Sequence, residues 1–283
     1  MKIGITGATG QLGTIVLEKL KTKISNENIV ALVRSPQKAS QSGVEVRAFD
    51  YGHPDTLVAS LKGIEKLLLI SGSEPGKRLQ QHSNVINAAK EAGVKFIVYT
   101  SLLHADTSTL VLAHEHLETE KFIKASGIPY AILRHGWYTE NYFGGLEHVV
   151  SSGELLGSSG NGKISAATRA DFADADVAVL TTKGHENKTY ELAGDEAFTL
   201  SDLARVISEV TKKTIVYRNL SAEEYAKALI SAGLPEGVAH FLAGSHVATE
   251  KGDLFDNSGT ISKLTGKPTT TLKRAVSDAL KVK

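Results

Sequence analysis

A glycine-rich segment near the start of the chain has the spacing of a dinucleotide-binding turn. It reads GATGQLG over residues 7–13, directly after the apolar stretch at 3–6. In a G-x-x-G-x-x-G pattern, one glycine permits a tight turn, one lets the backbone approach a pyrophosphate, and the last allows close helix packing. The following helix would direct its free N–H groups at the phosphates. A purely structural turn is the alternative. The predicted cofactor contacts are Gly7, Ala8, Thr9, Gly10, Gln11 and Leu12.

Arg34 follows the second apolar stretch, where NAD-binding proteins usually carry Asp or Glu. A carboxylate there accepts a hydrogen bond from the ribose 2′-hydroxyl, whereas a guanidinium pairs with a 2′-phosphate. The sequence therefore predicts NADP(H) as the cofactor, with a solvated strand-end charge as the alternative interpretation of Arg34. Asp50 and Tyr51, after the third apolar stretch, are expected either beside the adenine ring or in a plain turn.

Short apolar stretches alternate with amphipathic ones along the first half of the chain, which is typical of βαβ units. Strands are predicted at 3–6, 29–33, 44–48, 66–70, 96–100 and 130–133, and helices at 11–21, 85–92 and 112–125. Because βαβ crossovers are right-handed, these units predict an α/β protein with a Rossmann-type doubly wound parallel sheet.

The second half is less regular and predicts a smaller mixed C-terminal substrate domain. Its expected elements are a strand at 189–192 and helices at 201–212, after 221 and at 272–280. Pairs with capping-box spacing precede two of these helices. The glycine-rich stretch at 153–162 suggests a boundary. We expect an NADP-binding Rossmann domain at 1–150 and a mixed α/β substrate-side region at 151–283, part of which returns to the sheet.

Composition excludes several classes of function. Lys and Arg total 32 and Asp and Glu total 31, so the net charge of +1 argues against nucleic-acid or membrane-surface binding. The chain has no cysteine, which removes disulfides and thiol chemistry. It has no apolar stretch long enough for a membrane span or a signal peptide, so a cytoplasmic location is expected. The triplet His114-Glu115-His116 lacks metal-ligand spacing, so no metal is predicted.

Several longer segments resemble those of the NmrA-like branch of the atypical short-chain dehydrogenases/reductases. They are ITGATGQLG at 5–13, KLLLISGSEPG at 66–76, VKFIVYTSLLHAD at 94–106, HLETEKFIKASGIPYAILR at 116–134 and RHGWYTENY at 134–142. Stretches at 164–169 and 190–194 extend the resemblance into the second half. Within that branch the chain is most similar to the bacterial type-2 NADPH-dependent quinone oxidoreductases, and triphenylmethane reductase is a more distant relative.

The resemblance implies further cofactor contacts. In the type-2 quinone reductases the loop after the fourth strand passes the nicotinamide half of NADPH, and the segment after the sixth strand closes over the nicotinamide. The positions implied here are Ser71, Gly72, Ser73, Gly136, Trp137, Tyr138, Thr139, Glu140, Asn141 and Arg169. Trp137 and Tyr138 are also expected to stack on the substrate, in one aromatic cluster with Tyr142 and Phe143. A plain core position is the alternative for Trp137.

The catalytic residues are not identified by the sequence. The usual short-chain dehydrogenase carries a Ser and a Tyr-x-x-x-Lys pair, and only the serine position is filled, by Ser101. When Glu120 is matched to the family glutamate that precedes SGIPY, Leu112 stands at the tyrosine position and His116 at the lysine position. Ser101 and His116 are therefore only weak candidates for catalytic residues.

A missing proton donor favours acceptors that need none during hydride transfer. A simple ketone needs a proton near the transition state. A quinone yields a delocalised anion that is protonated by water afterwards. The sequence therefore predicts an NADPH-dependent reductase of quinones or similar conjugated acceptors. An NADP-binding redox sensor without turnover is the alternative, and a homodimer stays open.

Overall fold

The computed structural model describes residues 1–281, in which the apolar stretches of the first half form one parallel sheet. The chain runs through β1 (Ile3–Thr6), α1 (Gln11–Lys21), β2 (Ile29–Val33), β3 (Glu45–Ala48), α2 (Pro54–Leu61), β4 (Lys66–Leu69), α3 (Arg78–Glu91), β5 (Phe96–Leu102), α4 (Ala113–Ser126) and β6 (Tyr130–His135). It continues through α5 (Leu146–Ser152), β7 (Glu154–Gly157), α6 (Arg169–Thr181), β8 (Lys188–Leu192), α7 (Leu200–Thr211), β9 (Val216–Asn219), α8 (Ala222–Ser231), α9 (Glu236–Glu250), α10 (Thr260–Thr265) and α11 (Leu272–Leu280).

The seven-stranded sheet has the order β3-β2-β1-β4-β5-β6-β8, and every neighbouring pair is parallel. Strand β1 pairs with β2 on one side and with β4 on the other, so the strand order reverses at β1. In open α/β sheets, ligands bind in the crevice beyond the carboxyl ends of the strands at such a reversal. The predicted doubly wound sheet is confirmed, and its topology places a ligand crevice above β1.

Two apolar clusters cover the two faces of the sheet. One packs α1 and α6 against one face, and the other packs α2, α3 and α4 against the opposite face. Strands β1, β2 and β5 are buried along their whole length, which explains their continuous apolar sequences. A third apolar cluster, which we call the distal cluster, includes residues of α7, α11 and the segment after β6.

Strands β5 and β6 are each two residues longer than predicted. Thr100 and Ser101 continue into Leu102, and Arg134 and His135 end β6. The residues just beyond the predicted ends include Ser101, Arg134 and His135, which are polar. These polar side chains are buried but hydrogen-bonded within the protein, so the strands continue through them.

Helix α6 was not predicted because it is buried on most of its circumference. Eight of its residues are buried, including Phe172, Asp176 and Leu180, so its sequence lacks an amphipathic pattern. Its signal was the capping box of Thr168 and Asp171. The structure also forms capping boxes at the two predicted pairs, Thr199 with Asp202 and Ser221 with Glu224.

The second half contributes both to the large sheet and to a separate small one. Strand β8 pairs with β6, and α6 packs against α1. Strands β7 and β9 form a two-stranded parallel sheet of their own. Within residues 1–281, none of the helices combines the length and the apolar character needed to cross a membrane.

Candidate active site

The glycine turn lies at the carboxyl end of β1 and leads into α1. Gly7 has a φ of +59°, in the left-handed region that favours glycine, and the Gly10 N–H donates to the Gly7 carbonyl oxygen at 2.8 Å. A Cβ on Gly13 would lie 2.2 Å from the same oxygen, so only glycine allows α1 to pack this closely. The first turn of α1, residues 11–14, carries no acidic side chain that would oppose a bound phosphate.

The residues of the turn nearest the start of α1 are exposed, as binding of a phosphate requires. Thr9, Gly10 and Gln11 are exposed, whereas Ala8 and Leu12 are buried beneath them. Exposed N–H groups at a helix N-terminus form a natural anion-binding site. The turn therefore fits the pyrophosphate of a dinucleotide.

Arg34 lies just beyond the end of β2, with 67% of its side chain exposed. Its Nη1 atom is 3.4 Å from Glu74 Oε1, and Glu74 Oε2 is 3.4 Å from Lys77 Nζ. Because β1 separates β2 from β4, the Arg34–Glu74 contact crosses above the end of β1. Exposed pairs of this kind contribute about 0–1 kcal/mol, so the guanidinium can readily exchange its partner for a 2′-phosphate.

Tyr51 ties the carboxyl ends of β1 and β4 together. Its hydroxyl lies 2.8 Å from the Ile70 carbonyl oxygen and also contacts the Thr6 hydroxyl. The Ile70 N–H donates to that same Thr6 oxygen at 2.9 Å. The tyrosine hydroxyl is thus used inside the protein, below the crevice.

The loop after β4 begins at Ser71 and includes Gly72 and Ser73. The Ser71 N–H donates to Thr100 Oγ1 at 2.9 Å, and the Gly72 N–H donates to His82 Nε2 at 2.9 Å. Ser71 and Gly72 are half-buried, and Ser73 is exposed. The loop therefore lies beside the reversal point with its first two peptide groups fixed from below.

The segment after β6 departs from the sheet at Gly136. The Gly136 N–H donates to the Leu192 carbonyl oxygen at 2.8 Å, and a Cβ on Gly136 would lie 3.1 Å from that oxygen. Further along, the Thr139 N–H donates to the Ala167 carbonyl oxygen at 2.9 Å. Close backbone approach therefore fixes the path of this segment on both sides.

Trp137 and Tyr138 lie on opposite sides of that segment. Trp137 packs against the distal cluster together with Tyr142 and Phe143. The ring of Tyr138 instead lies edge-on to Phe172, with ring centroids 5.3 Å apart, in the cluster beneath α1 and α6. The expected single aromatic cluster is therefore wrong for Tyr138, because consecutive residues of an extended backbone point in opposite directions.

Glu140, Asn141 and Arg169 form one cluster at the N-terminus of α6. The Arg169 N–H donates to Glu140 Oε1 at 2.9 Å, and Arg169 Nη1 lies 3.4 Å from Glu140 Oε2. Arg169 Nη2 donates to Asn141 Oδ1 at 3.3 Å, and the guanidinium lies 4.5 Å from the centroid of the Tyr138 ring. The structure thus brings Arg169 together with three residues of the segment after β6.

Ser101 belongs to a buried ionic network. Its hydroxyl donates to Glu120 Oε1 at 2.6 Å, and its exposure is 4%. Arg134 holds both carboxylate oxygens of Glu120, each at 2.9 Å, and its Nη1 also donates to Asp106 and Glu191. The Ser101 hydroxyl is therefore committed to fixing β5 against α4, which disfavours a role as proton donor.

His116 is buried in α4 and bonded to a tyrosine. Its Nδ1 atom lies 2.8 Å from the Tyr99 hydroxyl. Burial, followed by the charge of Arg78, lowers the pKa of His116 well below its ordinary value. The imidazole is consequently neutral at physiological pH. The neighbouring Glu115 forms an ion pair with Arg78. Within residues 1–281, no group of three or more His, Asp or Glu side chains could hold a metal ion.

The family of the chain follows from its matches to known proteins. Residues 7–183, more than half of the chain, match the family described as NAD(P)H-binding. The chain belongs to this NAD(P)H-binding family. Its NmrA-like character is supported by 33% identity to an NmrA-like family domain-containing oxidoreductase of Aspergillus flavus, over 81% of this chain and 77% of that protein.

Other members of the family are similar over their whole length. Quinone oxidoreductase 2 of Escherichia coli is 54% identical over 99% of both chains. A crystal structure of the NADPH-dependent E. coli enzyme, complexed with NADPH, superposes with a TM-score of 0.96 over 98% of this chain and 99% of that one. Triphenylmethane reductase of Citrobacter sp. is 40% identical, with a TM-score of 0.96 over 99% of this chain and 100% of that one.

Two buried histidines of this chain, His82 and His135, were not predicted from the sequence. His82 holds Gly72, as described above. His135, immediately before Gly136, has its Nε2 atom 2.8 Å from Asp176 Oδ1 and stacks on Phe172. Each histidine also has a partner far away in the sequence, Thr119 at 37 positions from His82 and Asp176 at 41 positions from His135. The sequence offers no local signal for these contacts beyond a polar residue in a helix or at a strand end.

Proposed function

We propose that the chain is an NADPH-dependent oxidoreductase that transfers a hydride to quinones or similar conjugated acceptors. The supporting observation is the 54% identity to quinone oxidoreductase 2, which extends over 99% of both chains. The matched region spans the glycine turn, the loop after β4, the segment after β6 and the distal region. The similarity therefore extends over both the proposed cofactor side and the proposed acceptor side.

The residues of the crevice fit NADPH. Gly10 and Gln11 are exposed where α1 begins, so we propose that the pyrophosphate binds there at the positive end of the helix dipole. Arg34 is exposed beside the place of the adenosine ribose. We propose that the loop at 71–73, the segment at 136–141 and Arg169 hold the nicotinamide half.

When bound, NADPH supplies the hydride, which carries both electrons of the reduction. The chain contributes binding and orientation, which alone can account for large rate effects when two reactants are held face to face. Trp137 lies half-buried at the border of the distal cluster, so we propose that its exposed part lines the acceptor site. Tyr138 supports Arg169 from the other side. Ser101 is committed to Glu120, and we propose that water protonates the reduced acceptor.

The enzyme consists, in our proposal, of two regions of the chain. We propose an NADP-binding region at 1–150 and a substrate-side region at 151–283, with α6 and β8 returning to the large sheet. A cytoplasmic location is consistent with the absence of cysteine. Light scattering of the purified protein distinguishes a monomer from a homodimer.

A steady-state assay tests the proposed activity. Purified protein is mixed with NADPH and a small benzoquinone, and the decrease of the nicotinamide absorbance is compared with that of an enzyme-free mixture. We expect many turnovers per protein molecule with NADPH and much weaker activity with NADH. If the protein binds NADPH tightly but adds nothing to the enzyme-free rate, it is a redox sensor and not a reductase.

A further inference from the structure

Both backbone hydrogen-bonding groups of Gly72, its N–H and its carbonyl oxygen, are paired with buried side chains. Its N–H donates to His82 Nε2 at 2.9 Å, and its carbonyl oxygen accepts from Arg78 Nε at 3.0 Å. Both side chains come from α3, which begins just after the loop. A Cβ on Gly72 would lie 3.0 Å from Gln81 Oε1, so the loop also fits closely against this helix. The shape of the loop is therefore set from the protein interior.

The hydrogen bonds around His82 determine its protonation state. A backbone N–H can only donate, so Nε2 must carry a lone pair towards Gly72. The proton of the neutral ring then lies on Nδ1, which is 3.0 Å from Thr119 Oγ1. Thr119 donates its own hydroxyl proton to the Glu115 carbonyl oxygen at 2.8 Å, which leaves a lone pair for His82.

Burial supports the neutral form of this histidine. His82 and Thr119 are both completely buried. Burial, and secondly the charge of Arg78, lower the pKa of His82 to about 3. Two aromatic rings, those of Tyr51 and Tyr99, lie edge-on to the imidazole. His82 is thus neutral throughout the physiological range, with its acceptor nitrogen directed at the loop.

A second anchor connects the far end of the loop to α4. Arg78 Nη1 lies 2.7 Å from Glu115 Oε2, and Glu115 Oε1 accepts from the Gly76 N–H at 3.0 Å. Glu115 and Thr119 are one helical turn apart on α4. The same face of α4 therefore holds Gly76 directly and Gly72 through His82.

We propose that His82 is a positioning residue for the cofactor. Acting through the Gly72 N–H, it holds the loop at 71–73 in the shape that receives the dinucleotide, and Thr119 selects the Nδ1–H tautomer that makes this contact. The inference rests on the proposed function for the identity of the cofactor, but not for the tautomer. Without the imidazole, the Gly72 N–H lacks its hydrogen-bond partner and the loop is no longer held in the shape that receives the dinucleotide, so we expect cofactor affinity to fall about 10-fold or more.

Three substitutions and a matched control separate positioning from general support of the fold. His82→Leu removes the nitrogen that accepts the hydrogen bond from Gly72, whereas His82→Gln places an amide oxygen near the position of Nε2. Thr119→Val keeps the side-chain shape but removes the lone pair that receives the Nδ1 proton. His240→Leu, on the exposed face of α9, is the control for a histidine-to-leucine change. Each variant is assayed for its NADPH dissociation constant, melting temperature, and KM and kcat with benzoquinone.

We expect His82→Leu to raise the NADPH dissociation constant about 10-fold or more, with little change in KM for benzoquinone. His82→Gln should restore most of the affinity, Thr119→Val should lie between the two, and His240→Leu should match the wild type. The side-chain ¹⁵N spectrum of the wild type should show His82 protonated at Nδ1 and not at Nε2.

Two results would overturn the positioning role. One is a spectrum with Nε2 of His82 protonated. The other is a His82→Leu or Thr119→Val protein that melts lower but binds NADPH as tightly as the wild type. If His82→Leu does not fold, the spectrum and Thr119→Val still decide the question. Failure of the proposed function is distinguishable, because the wild type would then bind NADPH and show the predicted tautomer without reducing quinone.

Discussion

The two ends of the crevice are constructed differently. The phosphate end consists of contiguous backbone, the glycine turn at 7–13, together with the exposed side chain of Arg34. The other end consists of the loop at 71–73 and the segment at 136–141. Side chains of α3 and α4 fix the loop, and the backbone and side chain of Arg169 in α6 contact the segment. The end that we propose for the phosphates is thus encoded locally, whereas the end that we propose for the nicotinamide depends on contacts between distant parts of the chain.

The largest effect is expected where the local backbone is least tolerant. In Gly13→Ala the new Cβ would lie 2.2 Å from the Gly7 carbonyl oxygen, so the glycine turn must open. Overpacking of this kind costs about 1–3 kcal/mol, and we expect roughly 10- to 100-fold weaker binding of both NADPH and NADH in a titration. Gly237→Ala is the control, because a Cβ there meets nothing within 4 Å. Unchanged binding by Gly13→Ala would mean that the turn does not hold the cofactor.

The next effect separates the two cofactors. Arg34→Ala should raise KM for NADPH by about 10- to 100-fold, because a charged hydrogen-bonded pair contributes roughly 1.5–3 kcal/mol. KM for NADH should hardly change, since NADH lacks the 2′-phosphate. Arg205→Ala, an exposed arginine on α7, is the matched control. Equal losses with both cofactors would show that Arg34 supports the fold instead of binding the phosphate.

A smaller effect is expected at the acceptor side. Trp137 is half-buried, so Trp137→Ala should lower stability by less than the roughly 3–5 kcal/mol of a fully buried tryptophan. KM for benzoquinone should rise while KM for NADPH stays the same, and Trp137→Phe should retain most of the affinity. A collapse of the melting temperature with unchanged KM for benzoquinone would assign Trp137 to the core alone.

The smallest effect on turnover is expected at the buried network. Ser101→Ala removes one hydrogen bond to Glu120, while Arg134 still holds that carboxylate. We expect kcat to stay within about tenfold of the wild type, because loss of a general acid typically costs about 10²–10⁴-fold. The melting temperature should fall slightly. A thousandfold loss of kcat, on the order of a general-acid effect, together with normal NADPH binding would identify Ser101 as a proton donor.

The same difference between the two ends explains what the sequence could predict. The positions of the glycine turn at the end of β1 and of Arg34 at the end of β2 could be predicted, because they depend on neighbouring residues and on strand order. The roles of Ser101 and His82 were not readable, because their partners lie 19 and 37 positions away in helix α4. Helix α6 escaped the periodicity rule because it is buried on most sides. The separation of Trp137 from Tyr138 depends on the backbone path just after β6, which the sequence does not specify.

A single-turnover experiment tests hydride transfer to quinone most directly. Protein loaded with one equivalent of NADPH is mixed rapidly with excess benzoquinone, without oxygen, and the nicotinamide absorbance is followed. We predict a decay faster than that of free NADPH under the same conditions, and slower when the transferred C4 hydrogen is deuterium. An absorbance that decays no faster than that of free NADPH, although the cofactor is bound, would contradict the proposed reductase activity.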